Sequence, residues 1–388
     1  MILFLSNGHG EDTIASGIIR RVRAARPDLP VQAMPLVGHG HAYRRAGVPL
    51  LGPQELLPSG GLIHAGMSHF VDDLRSGLIG LTVQQIRALR RTKAQVVAVG
   101  DVFPVVLGGL FCQRPLLFVG TARSDWFVPY SRLETRVFRW LCRRMWARDE
   151  PTARTMAARG VQATWVGNAM MDCIEGADAA LPMLDEGGAL GAERPPVIAV
   201  LPGSRQATYT DFPVLLQAAF DLGGQYTFVA ALAGATPVDE VLRVGQEAGW
   251  QGTRLGPAPV VGRLSREGTT MWLTQEALGT VLQRCHLVLG QAGTANEQAA
   301  GLGRPVVAFD SQGRATPGWY RARQKGLLGD ALRLVPRSGS SVAAAVRDIL
   351  QKPSLYAHMQ ETGQARMGPP GASAAMAREI LDLAAGGL

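Results

Sequence analysis

The amino-acid sequence predicts an α/β protein made of two doubly wound domains. Short apolar runs alternate with longer amphipathic segments in both halves of the chain, which is typical of βα units around a parallel sheet. The 388 residues exceed what one hydrophobic core usually organises, so two domains are expected. Because such sheets bind ligands at the carboxyl ends of their strands, we expect the two domains to face each other across a cleft.

The first half of the chain, residues 1–168, is predicted to form one of these domains. Strands are expected where short apolar runs occur, and helices where apolar residues recur every three or four positions. The predicted strands span residues 2–5, 31–37, 96–100, 116–119 and 164–166, and the predicted helices span residues 13–25, 76–91 and 131–144.

The second half repeats the pattern after a break. Residues 169–196 include a stretch rich in Gly, Ala, Pro and acids with little periodicity, which predicts an interdomain linker. The second domain is expected at residues 197–370, with strands at 197–201, 226–231, 287–289 and 306–309. Residues 371–388 predict a terminal helix that packs back on the first domain.

Composition limits the class of protein. The chain is 47% hydrophobic and 18% charged, which is typical of well-buried globular cores. No apolar run approaches the roughly 20 residues that span a bilayer, so a soluble cytoplasmic protein is expected. The 4 cysteines lie far apart with no C-x-x-C spacing, which favours reduced thiols over a disulfide framework or a metal site.

The formal charge of +8 admits three kinds of partner: nucleic acid, an anionic membrane surface, or phosphorylated small molecules. No recognisable nucleic-acid-binding module and no long basic stripe interleaved with aromatics occurs, so nucleic acid is disfavoured. A solvated arginine-rich surface with no partner remains an alternative. The sequence is silent on the oligomeric state.

The most informative segment is residues 290–297, which read GQAGTANE after the apolar run 287–289. A strand that turns through glycines into a helix forms a phosphate-binding loop, because the glycines let the backbone approach an anion and the free N–H groups of the helix favour negative charge. Glu297, one turn into the helix, could reach a ribose diol. An ordinary strand–turn–helix corner with a buried glycine is the alternative.

A second candidate anion site follows the predicted strand 197–201. Gly203, Ser204 and Arg205 supply a flexible backbone, a hydroxyl and a guanidinium, and arginine offers a bidentate fork to phosphate oxygens. Alone, the tetrapeptide PGSR is a weak indication. Together with residues 290–297 in the same domain, it predicts a diphosphate site.

Acid–base groups are expected at the strand ends of the first domain. His9 lies between two glycines after the first strand and is a candidate general base or phosphate ligand. Glu11 and Asp12 are either functional carboxylates or ordinary first-turn acids of a helix. Asp101 follows the strand at 96–100 and could deprotonate an attacking hydroxyl, although helix capping explains it equally well.

Several other site classes lose support. Residues 38–41 read GHGH but offer no third ligand, so no metal site is predicted there. The sequence contains no G-x-S-x-G, no G-x-x-x-x-G-K and no H-E-x-x-H, which disfavours hydrolase and NTPase chemistry. A G-x-G-x-x-G fingerprint is missing after the first strand, which disfavours a nicotinamide enzyme.

Three segments carry a resemblance to a known family. Residues 6–12 read SNGHGED, residues 166–172 read VGNAMMD and residues 201–205 read LPGSR. Nearly end to end, the chain resembles the lipid-A-disaccharide synthase family, and more closely a related branch whose members open with a SNGHGED-like segment. The tail MGPPGAS at residues 367–373 also fits that branch. Other GT-B glycosyltransferases, including the peptidoglycan N-acetylglucosaminyltransferase and Kdo transferases, share parts of this set.

The resemblance implies a GT-B fold with two Rossmann-like domains. It also implies an inverting, metal-independent transfer of a GlcNAc-type sugar or acylated glucosamine from a UDP-sugar to a glycolipid acceptor, without a bound cofactor. It puts His9, Glu11 and Asp101 on the acceptor side, with Asp101 the first candidate for the base, and Gly167 and Asn168 in an interdomain motif. The family's opening is closer to GExSGD, so acceptor handling is expected to differ. The implied donor contacts are Gly203, Ser204, Arg205, Gln291, Gly293, Thr294, Ala295, Glu297 and Gln298.

A lipid acceptor would also explain the basic charge. The predicted helix over residues 74–91 places Leu78, Ile79 and Leu81 among arginines, which resembles a helix lying at an anionic interface. The hypothesis is peripheral attachment to the inner face of the cell membrane through this helix. A core-packing helix with a solvated basic end is the alternative.

Two other functions fit the same predicted architecture. A non-hydrolysing UDP-sugar 2-epimerase shares the double domain and parts of the donor loops, and it would act on a UDP-sugar without an acceptor. A non-catalytic nucleotide-sugar-binding protein would bind without turnover. The sequence leaves the donor sugar and the acceptor hydroxyl open.

Overall fold

The structure, a computed structural model, describes residues 1–53, 78–112, 115–174, 176–185, 195–203, 207–311 and 319–385. The chain forms two compact units. Unit 1 consists of Met1–Cys173 together with Pro369–Leu388, and unit 2 consists of Ile174–Gly368. Among the described residues, no helix is long and apolar enough to cross a membrane.

Unit 1 is built on a six-stranded sheet in the order β2-β1-β3-β4-β5-β6. All neighbouring strands are parallel, and the central strands are apolar on both faces because helices cover each side. The strands are β1 (Ile2–Ser6), β2 (Val31–Pro35), β3 (Gln95–Gly100), β4 (Leu116–Gly120), β5 (Cys142–Trp146) and β6 (Ala163–Thr164). The helices are α1 (His9–Ala25), α2 (His41–Arg45), α3 (Leu78–Arg90), α4 (Val102–Phe111), α5 (Arg132–Leu141) and α6 (Glu150–Ala158).

Strand β5 corrects the helix predicted at residues 131–144. Helix α5 ends at Leu141, and the chain continues at once into β5, which pairs with β4 and β6. The sequence of β5 does not alternate between apolar and polar residues as a strand usually does. Exposed Arg143 and half-buried Arg144 are followed by two buried residues, Met145 and Trp146. Pairing with β4 therefore overrides the local helical pattern.

Helix α3 contradicts one of the membrane contacts predicted from the sequence. Leu81 is 2% exposed and packs with Val37, so the prediction that Leu81 contacts a membrane is wrong, because the side chain is buried within the protein. The side chains of Leu78 and Ile79 lie outside the part of the chain that the structure describes.

Unit 2 is built on an eight-stranded mixed sheet in the order β14-β13-β12-β7-β8-β11-β10-β9. Strand β10 pairs antiparallel with β9 and β11, and the remaining pairs are parallel. The strands are β7 (Val197–Leu201), β8 (Thr227–Ala231), β9 (Gln251–Arg254), β10 (Val260–Arg266), β11 (Thr269–Thr274), β12 (Leu287–Gly290), β13 (Val306–Ala308) and β14 (Leu332–Leu334).

The helices of unit 2 cover both faces of this sheet and enclose a core that includes Phe212, Phe228 and Leu289. The sequence did not predict β9, β10, β11 or β14. The helices are α7 (Pro182–Asp185), α8 (Ala207–Leu222), α9 (Val238–Glu247), α10 (Leu278–Arg284), α11 (Thr294–Gly301), α12 (Trp319–Leu328), α13 (Gly339–Gln351) and α14 (Pro353–Met367).

The predicted linker at residues 169–196 is divided between the units. Ala169–Cys173 forms a 3₁₀ turn in unit 1 that packs on α1. Farther along, Gly176 belongs to unit 2, where its carbonyl accepts a hydrogen bond from the N–H of Thr280 at 2.9 Å.

The terminal helix α15 (Ala372–Ala385) packs on α1 within unit 1. The Asp172 carboxylate fixes its first turn, accepting hydrogen bonds from the N–H groups of Gly371 at 2.5 Å and Ser373 at 2.7 Å. Farther along α15, Glu379 accepts a hydrogen bond from the Trp146 indole N–H at 2.6 Å and forms an ion pair with Arg144. A carboxylate at a helix N-terminus satisfies N–H groups that have no intrahelical partner.

Replacing Asp172 by alanine should loosen α15. Loss of a charge-assisted helix cap costs about 1–2 kcal/mol, so Asp172→Ala should lower the urea midpoint of unit 1 and speed proteolytic removal of the C-terminal segment. Asp382→Ala, at an exposed position on the same helix, is the matched control. Equal protease resistance of the two variants would show that the Asp172 contacts do not hold the helix.

Candidate functional site

The candidate residues of unit 1 lie where the strand order of its sheet reverses. From β1 the chain proceeds outward to β2 on one side, and from β3 it proceeds to β4 on the other side. In open α/β sheets, ligands bind at the carboxyl ends of the strands at such a reversal. Glu11 lies in α1, directly after β1, and Asp101 directly follows β3, so the reversal brings these two predicted carboxylates together.

Glu11 is held by groups from two further strand ends. Its Oε1 accepts a hydrogen bond from the Thr121 hydroxyl at 3.2 Å, and Thr121 follows β4. Arg148, which follows β5, donates from Nη1 to the carbonyl oxygen of Thr121 at 2.8 Å. The sequence did not predict Thr121 or Arg148, because neither has a local motif. A cavity lined partly by Thr121, Arg148 and Asn168 opens beside this group.

Burial raises the pKa of the Glu11 carboxyl above its ordinary value, and the nearby negative charge of Asp101 raises it further. The Thr121 hydrogen bond and the positive charge of Arg148 oppose this increase. A general base works best when its pKa is close to the operating pH, so a carboxyl with a raised pKa is better suited to proton transfer than an exposed one.

Asp101 occupies the N-cap of α4, where its Oδ1 accepts a hydrogen bond from the N–H of Phe103 at 2.8 Å. The capping role that the sequence left open is therefore present. The preceding Gly100 has a φ of +133°, and a Cβ there would collide with the Asn7 side chain. Glycine thus allows the end of β3 to approach the loop after β1 closely.

His9 lies at the start of α1 and is exposed. Its ring lies beside the loop after β2, since a Cβ added to Gly38 would be 3.0 Å from His9 Cε1. His9 therefore lies at the same edge of the sheet as Glu11 and remains accessible.

Asp12 has a different environment from Glu11, its neighbour. Its carboxylate is 1% exposed and accepts a hydrogen bond from the Ser6 hydroxyl at 2.6 Å, and that hydroxyl lies 2.5 Å from the Tyr43 hydroxyl. Burial raises the pKa of Asp12 from 3.8 to about 7, and the charge of Glu11 adds to the increase. Asp12 is thus an internal group beneath the site.

The motif residues Gly167 and Asn168, predicted to be interdomain, contact other parts of unit 1. A Cβ at Gly167 would lie 3.0 Å from the Pro369 carbonyl oxygen, so a residue with a side chain would displace the segment leading into α15. Asn168 is buried, and its Oδ1 accepts a hydrogen bond from the Met170 N–H at 3.1 Å. In the described structure the motif shapes the 3₁₀ turn and seats the C-terminal segment.

The candidate donor residues of unit 2 lie at the corresponding reversal of its own sheet. Strands β7 and β12 are parallel neighbours, with Leu201 opposite Gly290, and they lead outward to β8 and β13 on opposite sides. Gly203 has a φ of +97°, and a Cβ there would lie 3.3 Å from the Gln291 carbonyl oxygen. The two loops predicted from the sequence therefore meet. Ser204 and Arg205 lie outside the described residues.

The loop 290–297 leads directly into α11 without a side-chain cap. Gly293 is the N-cap, and as a glycine it has no side chain that could accept a hydrogen bond from the first turn. A Cβ at Gly293 would collide with the Tyr320 hydroxyl, so glycine is needed for close packing here. The N–H groups of Thr294 and Ala295 begin the helix, and such groups favour an anion.

Gln291 corrects one expected donor contact. Its side chain is buried and points into unit 2, where Nε2 donates to the Phe309 carbonyl at 3.1 Å and Oε1 accepts from Arg321 Nη2 at 3.0 Å. Gln298, also an expected donor contact, is 4% exposed. The Gln291 side chain thus supports the loop from within unit 2.

Thr294 is exposed, whereas Ala295 and Glu297 are half-buried. Glu297 therefore keeps partial access to the surface in the first turn of α11.

A buried polar network holds the donor loop, and the sequence did not indicate it. Arg321, 1% exposed, donates from Nη1 to the Ala292 carbonyl at 3.1 Å and to Gln324 Oε1 at 2.6 Å. Gln324 in turn donates to the Gly293 carbonyl at 3.1 Å. These donors satisfy the carbonyl oxygens of Ala292 and Gly293, so the loop backbone is anchored to α12 from within unit 2.

Within the described part of the chain, His, Cys, Asp and Glu side chains form no group of three or more that could hold a metal ion. The paired residues His39 and His41 have ring centroids 5.8 Å apart.

Comparison with known proteins identifies the architecture. No protein-family model matches the sequence, and no curated protein does. Solved structures match over nearly the whole chain. A structure of S. aureus MnaA with UDP is 13% identical, with a TM-score of 0.61, and the match covers 99% of this chain and 97% of that chain. The chain has the GT-B fold.

Two other GT-B neighbours have different activities in their names. A UDP-GlcNAc 2-epimerase from Methanocaldococcus jannaschii is 14% identical with a TM-score of 0.56, covering 98% of this chain and 100% of its own. The calicheamicin glycosyltransferase CalG4 is 15% identical with a TM-score of 0.60, covering 98% and 97%. At these identities the likeness establishes two Rossmann-like domains and no particular reaction.

The internal position of Asp12 predicts how stability depends on pH. The folded state keeps a proton on Asp12 up to about pH 7, whereas the unfolded chain loses it near 3.8. Stability is therefore lost as the pH rises through this window. Asp12→Asn should reduce the fall in unfolding free energy between pH 5 and pH 8 by about 2 kcal/mol, measured by urea denaturation followed by tryptophan fluorescence. The exposed Asp382→Asn serves as the control, and an equal effect of both variants would refute the assignment.

Proposed function

We propose that the protein is a glycosyltransferase that moves a sugar from a UDP-sugar to a glycolipid acceptor. The observation that carries this proposal is the meeting of two loops distant in sequence, at Gly203 and at residues 290–297, where the strand order of unit 2 reverses. Glycine-lined backbone and an uncapped helix start at one point suit a diphosphate. The GT-B fold, shared with one protein named as a UDP-GlcNAc 2-epimerase and another named as a glycosyltransferase, supports it.

In this proposal unit 2 binds the nucleotide. The first-turn N–H groups of α11 hold the diphosphate, and Glu297 binds the ribose hydroxyls. As the bond between the anomeric carbon and the diphosphate oxygen breaks, negative charge grows on the departing UDP, and the N–H groups together with Arg205 stabilise it. The buried Arg321 keeps this loop in place without touching the ligand.

Unit 1 is proposed to handle the acceptor. The acceptor hydroxyl oxygen attacks the anomeric carbon, and its proton passes to a carboxylate, so that one bond forms as another breaks and the configuration inverts. Asp101 is the first candidate from the sequence. The structure favours Glu11, because its carboxyl has a raised pKa and lies beside Thr121, whereas one Asp101 oxygen is used to cap α4. His9 is an accessible alternative.

The resemblance to lipid-A-disaccharide synthases supports a GlcNAc-type or acylated-glucosamine donor and a glycolipid acceptor, with no metal and no further cofactor. It also supports peripheral placement at the inner membrane face. These finer assignments rest on the motifs in residues 6–12 and 201–205.

A second candidate function is a UDP-sugar 2-epimerase. It is favoured by solved structures with that name that cover at least 98% of this chain. An epimerase uses the same nucleotide site, so the two functions differ in whether turnover needs an acceptor. A non-catalytic nucleotide-sugar-binding protein would bind and not turn over.

The nucleotide site is tested by UDP binding. Wild-type protein should show a rise in melting temperature with UDP, and Glu297→Ala should weaken UDP binding by about 10- to 100-fold, because a hydrogen bond to a charged group contributes about 1.5–3 kcal/mol. Glu361→Ala, an exposed acid on α14, is the control, and isothermal titration calorimetry provides the affinities. A Glu297→Ala variant that binds UDP as the wild type does would refute the ribose assignment.

The reaction and its base are tested together. With UDP-GlcNAc or its acylated form and an acylated glucosamine phosphate acceptor, UDP release should require the acceptor. Glu11→Gln should lower kcat at least about 100-fold with unchanged UDP affinity, whereas Glu150→Gln, in the first turn of α6 and exposed, should not.

Asp101→Asn separates the two carboxylates, because asparagine retains the cap and removes the charge. If Glu11 is the base, activity persists and the acid limb of the kcat profile moves to lower pH, since the pKa of Glu11 falls when the negative charge is removed. A collapse of kcat in Asp101→Asn would make Asp101 the base. Conversion of UDP-GlcNAc to its 2-epimer without an acceptor would establish the epimerase instead.

A further inference from the structure

Helix α5 (Arg132–Leu141) has one side that other parts of unit 1 cover and one side that they do not. A capping box fixes its start: the Ser131 N–H donates to Glu134 Oε2 at 2.8 Å, and the Glu134 N–H donates to the Ser131 hydroxyl at 3.2 Å. Phe138 and Leu141 are buried in the core. Glu134 and Thr135 are buried on the same side. The orientation of the helix about its axis is therefore determined, and its opposite side faces outward.

An apolar stripe runs along the outward side. Leu133 is 69% exposed and Trp140 is 62% exposed, and they are the two most exposed large hydrophobic side chains in the described part of the chain. The half-buried Val137 lies between them at helical spacing. Single exposed apolar residues need no explanation, but the two largest exposures on one stripe of one helix indicate a binding surface.

A basic stripe runs beside the apolar one. Arg132, Arg136 and Arg139 follow the spacing i, i+4, i+7 and are all exposed, which places them about 100° around the helix from the apolar stripe. The helix contains one acid, Glu134, which is turned inward and lies 3.4 Å from Arg123. Each exposed charge on the helix is therefore positive.

We propose that this outward side of α5, with its apolar and basic stripes, docks on the surface of an anionic lipid bilayer. An apolar stripe flanked by arginines, with an indole at its edge, matches the layering of a membrane interface, where acyl chains lie below anionic headgroups. The surface is distinct from α3, where the sequence predicted membrane contact. It places unit 1 at a membrane whether or not the proposed sugar transfer is correct.

Charge and shape favour a bilayer over other partners. A protein interface usually meets charge of both signs around its apolar centre, whereas this surface offers one sign only. Nucleic acid would use the arginines, but it offers no hydrocarbon phase for Leu133. A sheet of anionic headgroups over acyl chains satisfies both stripes.

The test measures sedimentation of the full chain with vesicles of phosphatidylglycerol and phosphatidylcholine, compared with phosphatidylcholine alone. Wild-type protein should partition onto the anionic vesicles. Arg132→Gln/Arg136→Gln should weaken partitioning about 30-fold, because each basic side chain near such a surface contributes about 1 kcal/mol. Arg20→Gln/Arg21→Gln, at exposed positions on α1, removes the same charge elsewhere and should have a much smaller effect.

The apolar stripe has its own variant. Leu133→Ser/Trp140→Ser should weaken partitioning at least tenfold, whereas Trp319→Ser/Leu334→Ser, at other exposed positions, should leave it unchanged. Unaltered melting temperatures establish that each variant is folded. Partitioning that is equal for all four variants overturns the proposal. Failure of the wild-type protein to bind the anionic vesicles also overturns it. If, in that case, the α5 variants abolish binding to an oligonucleotide or self-association in solution, the surface serves that partner instead. Because UDP binding is measured separately, a failure here is distinguishable from failure of the proposed function.

Discussion

The reversal of strand order between neighbouring parallel strands determines where both candidate sites lie. At β1 and β3 in unit 1, and at β7 and β12 in unit 2, successive connections leave toward opposite sides of the sheet. The loops therefore diverge and leave the strand ends uncovered. Backbone can fill that space only where side chains are small, so glycine stands at Gly100, Gly203 and Gly293. The same constraint that shapes the sheets thus brings helix N–H groups and carboxylates together at the strand ends.

Buried polar groups make these strand ends rigid. In unit 2, Asp211 is 1% exposed and lies 3.2 Å from Arg337, and the Ser311 hydroxyl donates to it at 2.5 Å. Gln291 joins Asp211 to the donor loop. Removing one member of such a network leaves a buried group without its partner, which costs free energy. The network therefore opposes movement of the loop more strongly than its glycines would alone.

The local parts of the sites could be predicted from the sequence. Residues 290–297 combine a strand, two glycines and a helix start within a single window, and Glu11 follows β1 in the same way. Thr121, Arg148 and Arg321 could not be predicted, because each reaches the site from a different strand end or helix and has no motif of its own. Asp172 belongs to the motif at residues 166–172, but its role depends on a helix about 200 residues later in the chain.

Element prediction failed for related physical reasons. The hairpin of β10 and β11 contains polar and charged residues on its exposed face, which obscures the apolar run expected of a buried strand. Strand β5 follows α5 without a turn, and its second and third residues are arginines. In both places sheet pairing, which depends on distant residues, decides a conformation that the local pattern leaves ambiguous.

The distinction between transfer and epimerisation depends on unit 1 and not on the nucleotide loop. Both reactions need UDP held at its diphosphate, so the same nucleotide loop would serve either. Transfer requires a base that takes the proton of an acceptor hydroxyl, whereas epimerisation at C2 requires groups that remove a carbon-bound proton and return it to the opposite face. A carbon-bound proton is far less acidic, and its removal calls for groups on both faces of the sugar. On the described surface of unit 1, Glu11 and Asp101 lie at one reversal, and the charge of Asp101 helps to raise the pKa of the Glu11 carboxyl. The proposed transfer needs only one such carboxylate, because a single proton leaves the acceptor oxygen and does not return.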